Sequence, residues 1–518
     1  MKNLFLLSML LFSLFAEGQT IIPSPAKIVL NGDSLILESK IKVYAEINYP
    51  VLMSILSEEI FLDFKINTTN SHKKADIVFK KKSELSKEAY EVSITDNKII
   101  VSAADNAGFL YAVQSLRQVI NRRGDGSIAI ASMDIEDSPR QRFRSLMLDS
   151  GRQYQKVSTL KKYIDMLAML KMNYFHWHLT EGLGWRIEIK KYPQLTALGS
   201  KVGKGQEQQG YYTHEDIKEV VKYAADRCIT VIPEIDMPGH AEAALFSYPS
   251  LGCFNQKVVV PENGFTQHIF CAGKDATLVF LKDVLDEVCE LFPSEYIHIG
   301  GDEAPKGNWN KCPDCQNRIK ELKLSSSHQL QLWFTAEMAN HLATKGRKAV
   351  CWGDVVYHAG YPLPDNVVIH WWNWRGHKDK AYQEALKNGL EVICGTNYYN
   401  YLNFPVTPWS GYLKARTFDM EDIYLKNPSY YNVDATSKLV LGMSTALWTD
   451  GGVLESMLDR RLFPRIFANV EQMWYKGTLK PFDVFKKIVD DKQKWFESQG
   501  YIYGPSLLEE TPVDYKWD

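Results

Sequence analysis

The chain has 518 residues, 45% hydrophobic, 12% aromatic and 24% charged, which is ample material for a sizeable core. Sixty Lys and Arg against 62 Asp and Glu leave a formal charge of −2. Neither a nucleic-acid partner nor an anionic membrane is signalled, and no acidic disordered tail. In chain order, residues 1–18 read as a secretory signal: Lys2, an apolar run from Leu4 to Phe15, then Ala16-Glu17-Gly18. The run is shorter than the ~20 residues a membrane span needs. The expectation is export, periplasmic or extracellular, without membrane insertion. Residues 19–138 read as a small α/β domain, with strands at Tyr90–Thr95 and Lys98–Ser102 joined by a turn at Asp96-Asn97 and a helix over Ala107–Ile120.

Between 139 and 475 eight short apolar runs recur: Phe143–Asp149, Tyr174–Leu179, Thr230–Asp236, Tyr296–Gly301, Ala349–Gly353, Val367–Trp372, Glu391–Gly395 and Leu439–Trp448. Helix-period segments separate most of them: Ser158–Leu170, His214–Cys228, Ala276–Leu291, His328–Ala343 and Lys378–Lys387. This alternation predicts a (β/α)8 TIM barrel, although the fifth crossover, Val355–Asn366, is too short for a good helix. Phe463–Trp474 reads as the last barrel helix, and 476–518 as a helical tail with its helix at Pro481–Gln499.

Export permits disulfides. Of the eight cysteines, Cys253 and Cys271 bracket a loop rich in Gly, Pro and Asn and look like one bridge. Cys312-Pro-Asp-Cys315 is either a second bridge or half of a zinc knuckle. A structural zinc site needs two more ligands nearby, and the sequence offers no clean second pair. The remaining cysteines, in apolar periodic segments, read as buried thiols.

In a TIM barrel the chemistry sits at the carboxyl ends of the strands. There the runs end in acids, His and Trp: Glu181, Asp236 and His240, Asp302-Glu303, Trp352 with Asp354, Trp372 and Trp374, Tyr401 and Asn403, and Trp448 with Asp450. Any one of these alone could be a packed or capping residue. Their recurrence at one level argues for a pocket. Neighbours in a strand point to opposite faces, so Asp302 and Glu303 address one cavity only where the backbone turns, which Gly300-Gly301 permits. Two adjacent carboxyls should titrate apart, one remaining ionised and the other keeping its proton, as general acid chemistry requires. The competing reading is a helix N-cap pair ahead of Pro305. Flat Trp faces and carboxylates together suit sugars. His176-x-His178 offers a rival constellation: with His240 and His298 it could hold zinc in a metal-dependent amidohydrolase acting on an acetylated sugar. A non-catalytic sugar-binding barrel is the third possibility.

The motifs Arg144-Ser-Leu-Met-Leu-Asp149-Ser-Gly-Arg152, His176-Trp-His-Leu-Thr, Gly184-Trp-Arg-Ile-Glu-Ile, Pro233-Glu-Ile-Asp-Met-Pro-Gly-His240 and His298-Ile-Gly-Gly-Asp-Glu303 together resemble glycoside hydrolase family 20, the β-N-acetylhexosaminidases. The resemblance covers nearly all of the mature chain. It implies a small α/β domain before a catalytic barrel, a glycan substrate ending in a β-linked N-acetylhexosamine, and no metal or organic cofactor. It also implies retaining chemistry without an enzymic nucleophile, an exception to the two-carboxylate pattern. By the same resemblance, Glu303 is the acid and base, and Asp302 steadies the substrate's acetamide. Tyr401 bonds its oxygen, and Trp352, Trp374 and Trp448 wall it, with Trp372 a competitor for the sixth-strand position. Arg144 is expected to fix the outer hydroxyls, and His240, with Asp236 nearby, to tune Glu303. Three positions depart from the family pattern. Glu181 stands where Asp is usual, Asn403 replaces an Asp, and Asp450 replaces a Glu. The last two changes suggest a preference for 6-sulfated N-acetylglucosamine, with Arg375, His377 or Lys378 contacting the sulfate.

Overall fold

The computed structural model describes residues 20–203, 205, 209–358, 360–374, 376–404, 418–431 and 437–504. The expected signal segment lies outside them. Residues before the barrel form an eight-stranded mixed sheet in the order Lys27–Leu37, Ile128–Asp137, Tyr90–Ile94, Ile99–Ala103, Ile77–Lys81, Lys40–Ala45 and Lys65–Thr68, with the short Asn121–Arg122 pairing onto Ile128–Asp137. The expected hairpin is there: Tyr90–Ile94 pairs antiparallel with Ile99–Ala103. Alternate side chains of the first of these strands are buried, as the period-two pattern requires. The helix Asn106–Val119 is capped by Asp105, whose carboxylate accepts from Gly108 N. It covers one face of the sheet.

The eight runs form a closed parallel barrel: Phe143–Asp149, Tyr174–His178, Thr230–Glu234, Tyr296–His298, Lys348–Trp352, Val367–Trp371, Glu391–Cys394 and Val440–Leu447, the last returning to the first. Crossover helices lie at Val157–Met169, His214–Asp226, Asp275–Leu291, Ser327–Thr344 and Lys380–Lys387. A capping box at Thr213 and Asp216 starts the second of these. Among the described residues after the fifth strand there is only the short 3-10 turn Gly353–Tyr357, in keeping with the short spacing read there. The chain then closes with helices Ile466–Trp474 and Phe482–Ser498. No helix of the described residues is long and apolar enough to cross a membrane.

The small domain packs against the amino-terminal end of the barrel through buried charge. Arg144, the second residue of the first strand, is 1% exposed. Its guanidinium donates to both oxygens of Glu88 at 2.8 and 3.1 Å, and to the carbonyl of Gln141 at 2.7 Å. Burial opposes ionisation of Glu88, but Arg144 outweighs it and holds that carboxyl below its usual range. Beside this pair, Lys171 Nζ lies 3.0 Å from Asp137 Oδ2 and donates to the Tyr90 hydroxyl at 2.8 Å. Asp137 also accepts from Trp474 Nε1. These contacts overturn the expectation that Arg144 binds substrate: it lies near the start of its strand, at the end of the barrel opposite the chemistry.

The cysteines also differ from expectation. No cysteine is joined in a disulfide, so the expected Cys253–Cys271 bridge is not formed, and of the two readings of Cys312 and Cys315 the bridge is not the one found. Instead Cys253, Cys271, Cys312 and Cys315 meet in one place. The loop from Gly252 folds back through a bridge between Gly252 and Phe270. That brings Cys253 and Cys271 onto the first turn of the helix Pro313–Glu321.

Candidate active site

Beyond the carboxyl ends of the strands lies an open cavity of about 130 Å3 lined by Arg152, Asp302, Glu303, Trp372, Asn397, Tyr401, Asn403, Phe404, Trp448 and Asp450. The fourth strand ends at His298, and Gly300 and Gly301 turn the chain at φ +63° and +105°. A Cβ on Gly300 would stand 1.7 Å from Asp236 Oδ1, so only glycine fits there. Asp236 fixes the same turn by accepting from Gly301 N at 3.0 Å. Burial, then the charge of Asp302, pushes its carboxyl well above the usual range. Asp236 therefore positions the acids and is shielded from the cavity. Glu303 itself adopts φ +44° and His240 φ +48°, conformations costly for side-chain-bearing residues and concentrated at functional sites. The strand-to-turn break is what lets two neighbouring carboxyls face one space.

Behind them runs a relay. His240 Nδ1 lies 2.9 Å from Glu181 Oε1, and His240 Nε2 is 3.5 Å from Asp302 Oδ2 and 3.7 Å from Glu303 Oε2. The longer Glu181 thus reaches the histidine. Burial disfavours a charged imidazole, but Glu181 and Asp302 outweigh it and hold His240 well above its ordinary pKa. Glu303 moves upward too: partial burial and the Asp302 charge raise it, and His240 opposes them. A carboxyl whose pKa is raised beside a second carboxyl is the division that general acid catalysis uses.

The opposite wall is aromatic. Trp372 and Tyr401 lie nearly parallel at 6.2 Å, and Trp448 lies 5.8 Å from Tyr401. Trp372 Nε1 donates to Asp354, whose carboxylate also accepts from Glu303 N at 3.3 Å. Burial, then Asp302, raises Asp354 to about 7. Trp352 stacks on His370 behind this wall and donates to Glu234 Oε1 at 2.7 Å. It backs the pocket without lining it. Trp374 is displaced from its expected place: it packs edge-on against Trp371 at 5.9 Å, and Trp372 takes the sixth-strand position. Some buried polar atoms at the site lack a well-formed hydrogen bond within the protein, among them Asp302 Oδ1 and Asn403 Oδ1. Such atoms are costly unless a ligand or water meets them.

At the far end Asn403 Nδ2 donates to Asp450 Oδ1 at 3.0 Å. Burial raises Asp450 to about 7 against the pull of Arg152. Arg152 occupies the place expected for Arg144. It donates to Asp149 Oδ2 at 3.0 Å, pairs with Glu181, and lies 5.1 Å over the Trp448 ring. The loop that carries it is pinned by the buried Arg186, which donates to the carbonyls of Ser150 and Gly151. Arg152 and Asp354 were both visible in the sequence, one inside the first-strand motif and the other just after Trp352. Only the barrel's direction separates them from their neighbours.

Two of the three expected sulfate contacts lie elsewhere. His377 stacks on Tyr357 at 4.0 Å, and the Lys378 carbonyl accepts from Trp371 Nε1 at 2.6 Å. Neither lines the cavity, and Arg375 lies outside the described residues. The metal-hydrolase reading is likewise not favoured. His176, His178 and His298 all face the buried Glu234, at 2.8, 2.5 and 3.1 Å, and these four lie beneath the cavity, off its lining.

Residues 142–477 match the sequence profile described as glycosyl hydrolase family 20, catalytic domain, and residues 18–138 match that family's domain 2. The chain belongs to glycosyl hydrolase family 20. A β-hexosaminidase of Porphyromonas gingivalis is 32% identical over 96% of this chain, which spans only 66% of that protein's length. The solved β-N-acetylhexosaminidase of Bacteroides fragilis is 59% identical, with 96% of this chain and 100% of that one covered and a TM-score of 0.90. The exo β-N-acetylglucosaminidase of Vibrio harveyi, solved with N-acetylglucosamine, is 27% identical over 95% of this chain and 79% of its own, with a TM-score of 0.85.

Proposed function

We propose that this chain is an exo-acting, retaining β-N-acetylhexosaminidase in which the substrate's own 2-acetamido oxygen attacks the anomeric carbon. The observation that carries the reading is one cavity holding a carboxyl raised in pKa, a second carboxyl with a free oxygen beside it, and an aromatic wall facing both. Glu303 passes its proton to the leaving oxygen and then takes one from the incoming water. Asp302 accepts from the acetamide N–H and offsets the positive charge of the oxazolinium ion, a charge that develops only as the bond breaks. Tyr401 and Trp448 present a hydroxyl and an indole N–H toward the acetamide oxygen, and Trp372 closes over the methyl group. Arg152, Asn403 and Asp450 offer a hydroxyl-binding set for the far edge of the ring. Terminal N-acetylglucosamine is the sugar this set fits; a 6-sulfate would meet Asp450, and neither His377 nor Lys378 lines the cavity to hold it. Export, periplasmic or extracellular, belongs to the same proposal and rests on the apolar N-terminal segment.

A panel of aryl β-glycosides differing only at carbons 2, 4 and 6 tests it. The acetamido sugar should be cleaved, and its 2-amino and 2-hydroxy counterparts left almost untouched. Equal rates on the 2-hydroxy sugar would overturn the substrate-assisted step. Faster cleavage of the 6-sulfo sugar than of its unsulfated twin would restore the sulfate preference read from Asn403.

A further inference from the structure

Four cysteines stand apart from the cavity and take no part in the chemistry above. Cys271 Sγ lies 3.5 Å from Cys315 Sγ and 3.8 Å from Cys312 Sγ, and Cys253 Sγ lies 3.9 Å from Cys315 Sγ. All four sulfurs fall within 4.8 Å of one another. Disulfides would set two pairs at ~2.05 Å and leave the pairs distinct. Here Cys271 approaches two partners and Cys315 approaches two, so no exclusive pairing exists. Zinc bound by four thiolates has Zn–S of ~2.3 Å, which places sulfurs at the corners of a tetrahedron with edges of ~3.8 Å. The observed separations straddle that edge.

The surroundings fit a closed anionic centre. Cys271, Cys312 and Cys315 are buried to the last percent, and Cys253 is 9% exposed. Cys312 is the N-cap of the helix Pro313–Glu321, and Cys315 lies in its first turn, where unpaired amides favour negative charge. Four thiolates around a divalent ion carry a net double negative charge. Two cations grip the loop backbone beside it: Lys274 Nζ donates to the Gly252 carbonyl at 2.5 Å, and Arg318 Nη2 donates to the Gly273 carbonyl at 3.2 Å. Gly273 passes so close to the helix start that a Cβ there would lie 2.3 Å from Cys315 N.

We infer that Cys253, Cys271, Cys312 and Cys315 bind one structural zinc ion. The ligand set is closed, with no open position for substrate, and soft sulfur ligands select zinc over hard cations. Its task is mechanical. It ties the loop after the third strand to the segment after the fourth. That loop carries Phe265, whose ring lies 5.8 Å from His240, and Thr266, which donates to Glu242. Its last residue, Phe270, donates its N–H to the Pro238 carbonyl and accepts from Trp309 Nε1. The ion therefore braces the wall behind His240 and Glu303 without touching either.

The test is metal analysis of the full chain, exported and purified without chelator, together with its intact mass under non-reducing conditions. The expected result is about one zinc per chain, released by a mercurial, with all cysteines reduced. The double variant Cys312→Ser/Cys315→Ser should hold no stoichiometric zinc and melt at lower temperature, with only a few-fold fall in kcat/KM. Should that variant fail to fold, wild-type chain grown in cobalt should show the charge-transfer and ligand-field bands of a tetrahedral cobalt tetrathiolate. Two disulfides with no stoichiometric metal, iron in place of zinc, or cobalt protein without those bands would each overturn the assignment.

Discussion

Arg144 and Arg152 lie eight residues apart on one strand and its following loop, yet they do opposite things. Arg144 enters the barrel from below and is consumed by Glu88, a residue of the small domain. Arg152 emerges above, where it balances Asp149 and Glu181 and faces the cavity. Both are charged forks held by carboxylates, and residue type does not distinguish them. Position along the strand does: parallel strands gather chemistry at their carboxyl ends and stability at their amino ends.

The contrast can be broken at either end. The largest effect belongs to the upper end: Glu303→Gln should lower kcat by about 10^2- to 10^4-fold on substrates with poor leaving groups, with far less loss on activated aryl glycosides that need no acid. Unchanged melting would show the damage to be chemical. At the lower end, Arg144→Ala should cost about 3–5 kcal/mol of stability in urea unfolding, because it leaves Glu88 buried without its partner. The fraction that stays folded should turn over at the wild-type rate; a selective fall in kcat would place Arg144 back in the site. A smaller effect is expected from Arg152→Lys, which keeps the charge and loses the fork. Its kcat/KM should drop about ten- to a hundredfold while melting shifts little. The subtlest change is His240→Asn. A protonated imidazole pulls Glu303 downward, so a neutral side chain lets that carboxyl rise. The alkaline limb of kcat/KM, set by loss of the acid's proton, should then move to higher pH, and a limb that stays in place would mean that His240 is neutral.

Much of this was legible from residues alone. The eight strands follow from apolar runs bounded by turns, and even the weak fifth crossover was foreshadowed by its length. The Asp302-Glu303 turn was readable because two glycines precede it. What the sequence could not settle was direction and distance. A motif with two arginines does not say which one lies beyond the strand end. Trp372 and Trp374 share a strand-like spacing, but the strand stops at Trp371, so alternation no longer decides which ring enters the cavity. The cysteines were harder still: two pairs about 40 residues apart look like two local bridges until a loop folds one pair onto the other.

The seam around Arg144 and Lys171 bears on how such enzymes can be recombined. Glu88 and Asp137 come from the front of the chain, and their cations come from the barrel. A chimera that swaps the front module while keeping the rest must transplant both halves of each couple. Otherwise it inherits stranded charge at the joint, and a barrel expressed by itself would expose the same deficit to water and to proteases.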